Sequence, residues 1–338
     1  MHYRRLLVTG ALVASVNTAW AGDRAPGWVN GSAELYPSEL YIVGMGSGDE
    51  RSDAETRARA AVSAVFSVHV SAQTAITTAQ TEVTEGGKTR FSATQAVVQD
   101  AKSTTDRVLE GVAIAESWQD PTTKRIYALA VLNRKKAAVV LRDKLGDLET
   151  AVKPQVVQLA KATEPLRRAG AGFRIQALAK NRDNLIADLR VIQPGADTAG
   201  EADWSTARRD ADAAVRALQV SLRVAGSENA RAIQTGVVKS LNALGICTVD
   251  GTTPPDIAVA VNLDLAVSGP REGWYYARLT ATATVTDPKT GTQILQFDAS
   301  VRPAASEPGE ASHRAADAVA KKVAENLQPA LQAFFAGQ

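Results

Sequence analysis

Cysteine is almost missing from this chain: Cys247 is the only one in 338 residues. An intramolecular disulfide is therefore excluded, and stability must come from packing. Cys247 itself reads as a small buried apolar residue at a strand start. Histidine is nearly as scarce, with His2, His69 and His313, and none stands in H-E-x-x-H or another metal-ligand spacing. The sequence also has no G-x-S-x-G elbow, S-x-x-K pair or C-x-x-C. No metal, cofactor or catalytic residue is expected, and the chain is read as a non-enzyme. Charge of one sign is not in excess either, with 38 Lys and Arg against 36 Asp and Glu. That balance argues against a broad basic surface for nucleic acid. Carboxylate-only glycan chemistry needs two carboxylates about 5–10 Å apart. Glu110 and Glu116 share a strand face but stand roughly 20 Å apart by strand rise, so they are read as surface charge.

What is present begins with an address. Arg4 and Arg5 precede an apolar stretch from Leu6 to Val16, and Ala19-Trp20-Ala21 has the small-x-small pattern of a signal-peptidase site. A membrane span needs roughly 20 apolar residues, and this stretch is shorter. Residues 1–21 are thus expected to be a signal peptide, giving a protein that is either soluble in the periplasm or held to the envelope, at the outer membrane, by partners. Gly22, not cysteine, would open the mature chain, so no covalent lipid anchor is expected, and no transmembrane segment after cleavage.

Residues 22–132 read as a first α+β domain. Leu40 to Val43 form an apolar strand run, and the following Gly44, Gly46 and Gly48 make only G-x-G-x-G. A P-loop needs a lysine after its glycines and a dinucleotide fingerprint needs G-x-G-x-x-G. Asp49, Glu50 and Asp53 stand where a helix N-terminus would attract phosphate, so an incoming phosphate would be repelled. The glycines are read as a tight turn out of the strand into a helix capped by Ser52 and Glu55. Ala54, Ala58, Ala61, Val62 and Val65 form that helix's apolar face, with Asp53/Arg57 and Glu55/Arg59 as i,i+4 pairs. From Val68 to Thr78 the period changes to two, which predicts an antiparallel strand. Glu85 to Lys88 reads as a turn. Two more strands follow, Val108 to Trp118 and Ile126 to Leu132, joined by a turn at Asp120-Pro121.

The segments "PGWV", "YPSELYIVGMGSGD", the alanine- and arginine-rich "AETRARAAVSAVFSVHVSAQT" and "VLEGVAIAESWQDPTTKRIYALAVLNRKKAA" together resemble the LPP-twenty lipoprotein family of bacterial envelope proteins. The resemblance covers residues of about 26 to 140. It implies a non-enzymatic envelope domain related to flagellar outer-ring proteins such as FlgP and FlgT.

Residues 133–193 are helical in pattern and read as a hairpin or partner arm, with turns or kinks at Pro154 and Pro165 and a break near Ala169 to Gly172. Residues 194–214 read as a linker. Residues 215–338 read as a second α+β domain, of βαβ, meander and C-terminal helix. Its strands are expected at Leu218 to Val224, Ile246 to Val249, Ile257 to Val267, Trp274 to Thr286 and Gln293 to Val301. Ser227 is expected to cap its first helix, Gly245 to end that helix, and Ala315, Val319, Val323, Leu327 and Leu331 to line the last one. This half is similar in pattern to the N-terminal domain of TolB and the middle domain of FlgT.

Aromatics make up 5% of residues, so Trp274-Tyr275-Tyr276 after a Gly- and Pro-containing loop stands out. Together with Trp118 it is the candidate interaction surface. The competing account has Trp274 and Tyr276 filling the edge of the core and Tyr275 exposed. The reading as a whole is an α+β protein of two small sheet-and-helix domains joined by a helical segment. It is expected to act as a structural or assembly protein that binds envelope proteins or itself, with flagellar outer-ring relatives. The alternative is a periplasmic ligand-binding protein or a carboxylate-dependent glycan-processing enzyme.

Overall fold

A computed structural model describes residues 24–198, 200, 202–226, 230–249 and 254–337, apart from 82–110. It is an α+β structure with six helices and eight strands among the described residues. The chain divides into two compact units, residues 1–144 with 184–198 and residues 145–183 with 199–338.

In the first unit, β1 (Tyr41–Gly48), β2 (Val112–Gln119) and β3 (Ile126–Asn133) form an antiparallel sheet in the order β1-β3-β2. The helix α1 (Arg51–Thr81) packs on this sheet. The three glycines do not form a turn. They lie inside β1, alternating with exposed Val43 and Met45, and their face meets α1. A Cβ on Gly44 would lie 2.6 Å from the Ala58 oxygen, and one on Gly46 would lie 2.2 Å from the Ala58 nitrogen. Glycine is needed here because two backbones touch, not because the chain bends. Opposite the glycines, Ala54, Ala58, Val62 and Phe66 recur every fourth residue and are buried, so the small faces of helix and strand fit together. On β3, Ala130 and Ala128 pair with Gly44 and Gly46 and extend the same surface.

Two expectations about α1 are corrected. The helix begins at Arg51, which puts Ser52 inside it and not at its cap. It also continues through Val68 to Thr78, where alternation predicted a strand. Alanine, serine and threonine dominate that run, and a two-residue period among small residues distinguishes strand from helix poorly. On the wet side Glu55 pairs with Arg59 at 3.6 Å and with Arg51 at 2.8 Å. Arg57, expected to pair with Asp53, instead donates to the Ser47 carbonyl at 2.7 Å and so ties α1 to β1. The expected turn at Glu85 to Lys88 and the Glu110 side chain lie outside the described residues.

Helices α2 (Arg134–Lys161) and α3 (Pro165–Ile192) follow as two long consecutive helices. The turn between them is at 162–164, and Pro165 starts α3, a position where its missing N–H costs nothing. Pro154 sits within α2. Nor does the chain break near Ala169 to Gly172. A Cβ on Gly172 would meet the Ala211 oxygen at 2.9 Å, so this small stretch is where α4 (Trp204–Arg216) crosses closely. α4 occupies much of the 194–214 stretch expected as a linker. Its residues Ala207, Ala211, Ala214 and Val215 are buried, a helical stripe masked in the sequence by the charged residues between them. Asp203 caps it, accepting from the Thr206 N–H at 3.0 Å.

The second unit's sheet has the order β4-β5-β6-β7, formed by Val220–Ala225, Ile257–Arg271, Trp274–Thr286 and Gln293–Val301, with β8 (Ala304–Ala305) on β6. β4 and β5 are parallel through α5 (Ala230–Ala243), and the other pairs are antiparallel. α5 ends in a Schellman turn: Ile246 N–H donates to the Leu241 carbonyl, Gly245 N–H to that of Asn242, and Gly245 has φ +77°. Ser227 lies outside the described residues, and the expected strand at Ile246 to Val249 is reduced to a bridge between Thr248 and Val220. The last helix, α6 (Pro308–Ala336), buries Ala315, Val319, Val323, Leu327 and Leu331 against β6 and β7. Ala277, Ala281 and Ala283 line the facing side of β6 and let the helix approach. Each fully buried Val or Leu contributes about 1.5–3 kcal/mol, so this stripe is a substantial part of the unit's core. The opposite sheet face carries Thr280, Thr282, Thr284, Asp298 and Ser300, at least partly exposed, with cross-strand bonds such as Thr282 to Asp298 at 2.7 Å.

Candidate functional site

The expected aromatic surface does not assemble as one site. Trp118 belongs to the first unit and is 7% exposed, packed with Trp28, Leu129 and Val131 in a small core. Its ring tilts against Tyr127 at 5.6 Å. Trp118 is thus removed from the candidate surface: its position on β2 points it at the segment around the 3-10 turn Gly27–Asn30, which covers that side of the sheet. Glu116 is likewise not a surface charge. It accepts from Trp28 Nε1 at 2.7 Å. With partial burial, its carboxylate also raises the pKa of the Tyr36 hydroxyl above the ordinary tyrosine value.

The second unit displays the rest. β5 and β6 are joined by the two-residue turn Glu272-Gly273, both at positive φ (52° and 81°), as a type I′ hairpin turn requires. Trp274 leaves this turn 49% exposed. β6 then alternates, with Tyr275 packed against the core and Tyr276 on the other face beneath the Arg302 guanidinium at 5.2 Å. The order is the reverse of the account in which Trp274 fills the core edge and Tyr275 is exposed, because the inward series is Tyr275, Ala277, Leu279 and Ala281. β4 accompanies β5 only as far as Asn262. Beyond it, among the described residues, β5 is paired on one side alone, and Val267 there is 44% exposed. The tip therefore combines an exposed indole, an exposed valine and a strand edge with unpaired backbone groups.

A second feature of this unit was not anticipated. Helices α2 to α6 enclose an open cavity of about 1010 Å³, with Phe173, Ala177, Leu178 and Leu244 on its apolar walls. Arg174 lines it and is held from three sides. Its Nε donates to Gln155 at 2.6 Å, one terminal nitrogen to Gln158 at 3.0 Å, and the other to the Phe335 carbonyl at 3.1 Å. Sequence reading missed it because the contributing residues are spread from 155 to 335. Nearby, Glu149 forms a polar knot: it accepts from Trp204 Nε1 at 2.6 Å and the Ala202 N–H at 2.9 Å, and lies 3.5 Å from Arg182, whose guanidinium covers the Trp204 ring.

The single cysteine is exposed, contrary to expectation. Ile246 takes the buried position and alternation turns Cys247 outward. Among the described residues there is no group of three His, Cys, Asp or Glu side chains placed to hold a metal ion, and no helix long and apolar enough to cross a membrane.

Residues 26–133 match the family model described as LPP20 lipoprotein, the family that the sequence motifs resemble. No curated protein matches the chain. Among solved structures, the secreted protein HP1454 from Helicobacter pylori is 12% identical, with 84% of this chain and 97% of that one covered and a TM-score of 0.38. A minor lipoprotein from Acinetobacter baumannii is 13% identical over 34% of this chain and 92% of its own, with a TM-score of 0.25. Lipoprotein GNA1162 from Neisseria meningitidis is 9% identical over 36% and 99%, with a TM-score of 0.24. The family match over residues 26–133 points to the bacterial envelope.

Proposed function

We propose that the protein is a non-enzymatic assembly component of the periplasm, acting at the outer membrane by binding other envelope proteins. The observation that carries this reading is the β5–β6 hairpin tip, where Trp274 is half exposed beside a β5 edge that pairs on one side only among the described residues. An edge of this kind accepts a strand from a partner by main-chain hydrogen bonding, while an adjacent aromatic anchors it. The family resemblance makes flagellar outer-ring components the first partners to seek.

The test is photo-crosslinking in intact cells with a benzophenone amino acid at position 274, and at exposed position 298 as the comparison. Specific adducts at 274 that are weak or missing at 298 are expected, with mass spectrometry naming the partner. If 274 yields no adduct while a known envelope complex is captured in the same cells, the reading is wrong. The same cells decide lipidation. We expect no palmitate incorporation, and labelling of the mature protein would show instead that it is anchored as the family's description implies.

A further inference from the structure

We infer that the cavity of the second unit is a binding site for a small amphipathic carboxylate, with Arg174 as its anchor. This does not rest on the assembly role proposed above. An arginine side chain stays charged at any pH a cell reaches, and a partly buried charge normally has a carboxylate beside it. The neighbouring arginines follow that rule: Arg182 has Glu149, and Arg208 has Asp183 at 2.6 Å. Arg174 does not. Its partners are two glutamine side-chain oxygens and one carbonyl, all uncharged. Those contacts use one N–H of each nitrogen, which leaves one on each terminal nitrogen with no partner among the described residues. Guanidinium N–H groups are what a carboxylate accepts from.

The cavity supplies the rest of the specificity. Its lining includes Arg174 and Arg216, against the single carboxylate of Asp212. Asp212 is already engaged, by the Gln176 amide at 2.8 Å and by Arg216 at 3.9 Å. An anion is favoured over a cation on these grounds. The walls at Phe173, Leu178 and Leu244 offer apolar contact to the ligand's body. A volume of about 1010 Å³ lies at the upper end of small-molecule sites, roughly 300–1,000 Å³. Gln155 and Gln158 hold the guanidinium in place before any ligand arrives, so little ordering is required on binding.

The experiment is calorimetric titration of the mature protein with dodecanoate, below its micelle concentration, alongside dodecyl phosphate and dodecyltrimethylammonium. Saturable one-to-one binding of dodecanoate is expected, tighter than dodecyl phosphate and at least tenfold tighter than the cation. Arg174→Gln should weaken it at least tenfold. Because Arg174 also holds the Phe335 carbonyl, a second variant acts from another wall: Ala243 is exposed at the end of α5 and lines the cavity. Ala243→Trp should fill the space and weaken binding at least tenfold with an unchanged thermal midpoint. No saturable binding, equal binding of the cation, stronger binding of the phosphate, or full binding by folded Ala243→Trp would each overturn the assignment.

Discussion

Adding one methyl group at Gly46 should unseat α1 from its sheet. The Cβ of Gly46→Ala would lie 2.2 Å from the Ala58 nitrogen and 2.3 Å from the Ala54 oxygen, against 3.4 Å for ordinary contact. Both clashing atoms are backbone, so no side-chain rotation relieves them. The helix must withdraw by about 1 Å, and contacts beneath Ala54, Ala58, Val62 and Phe66, all at most 1% exposed, are stretched along its length. Overpacking a rigid core costs about 1–3 kcal/mol, and a gap of 0.5–1 Å forfeits roughly a quarter to a half of each dispersion contact it opens. Stiffening of the unfolded chain by alanine offsets only about 0.4–1 kcal/mol. A net loss of about 3 kcal/mol is expected. Hydrogen exchange read by mass spectrometry suits the question, since peptides from β1 and β3 report on the first unit while α6 peptides serve as an internal reference. At 1.4 kcal/mol per tenfold, β1 and β3 amides that exchange through unfolding of the unit should do so about a hundredfold faster. Protection unchanged within threefold would refute the view that the glycines serve close backbone approach.

The same substitution at Gly146 should have the opposite sign, because that glycine lies inside α2 with open space where its Cβ would go. Gly146→Ala is expected to stabilise the second unit by about 0.5–1 kcal/mol in urea unfolding. Glu149→Ala should destabilise the second unit by about 1–3 kcal/mol, since it leaves the Trp204 indole N–H and the Ala202 N–H without their acceptor; urea unfolding followed by circular dichroism checks this. Asp188 is 2% exposed, one of its oxygens has no hydrogen-bond partner, and burial raises its pKa to about 7. A carboxyl raised in the folded state contributes stability that is fully present below its unfolded pKa of about 3.9 and is lost as pH rises to about 7. Asp188→Asn should therefore flatten the decline in stability between pH 4 and 7 and be more stable than the parent at pH 8, measured as urea midpoints across pH.

Where one short period governed the outcome, composition and spacing were sufficient. Alternation holds along β6 from Tyr276 to Thr286, and the face of α6 follows 3.6-residue spacing, because each element buries one side against a partner that the chain itself supplies. The LPP-twenty motifs and the α+β class were equally visible. Alternation among alanines, serines and threonines was ambiguous, and there α1 simply continued. A charged sequence concealed α4, since its buried stripe is made of alanines whose burial depends on the small residues of α3 across from them.

Contacts between distant segments decided the remainder. Whether a glycine serves a turn or a close approach depends on what lies a few ångströms away, and β1 has a helix there. Trp118 and Trp274 are both strand-end tryptophans beside turns, yet one is buried by the segment around Trp28 and the other is left outside by a type I′ turn. Arg174 and its cavity depend on helices contributed from residues 151 to 333. A periodic pattern records which side of an element is apolar. What that side meets, and which polar group is left without a charged partner, is set only when separate elements are packed together.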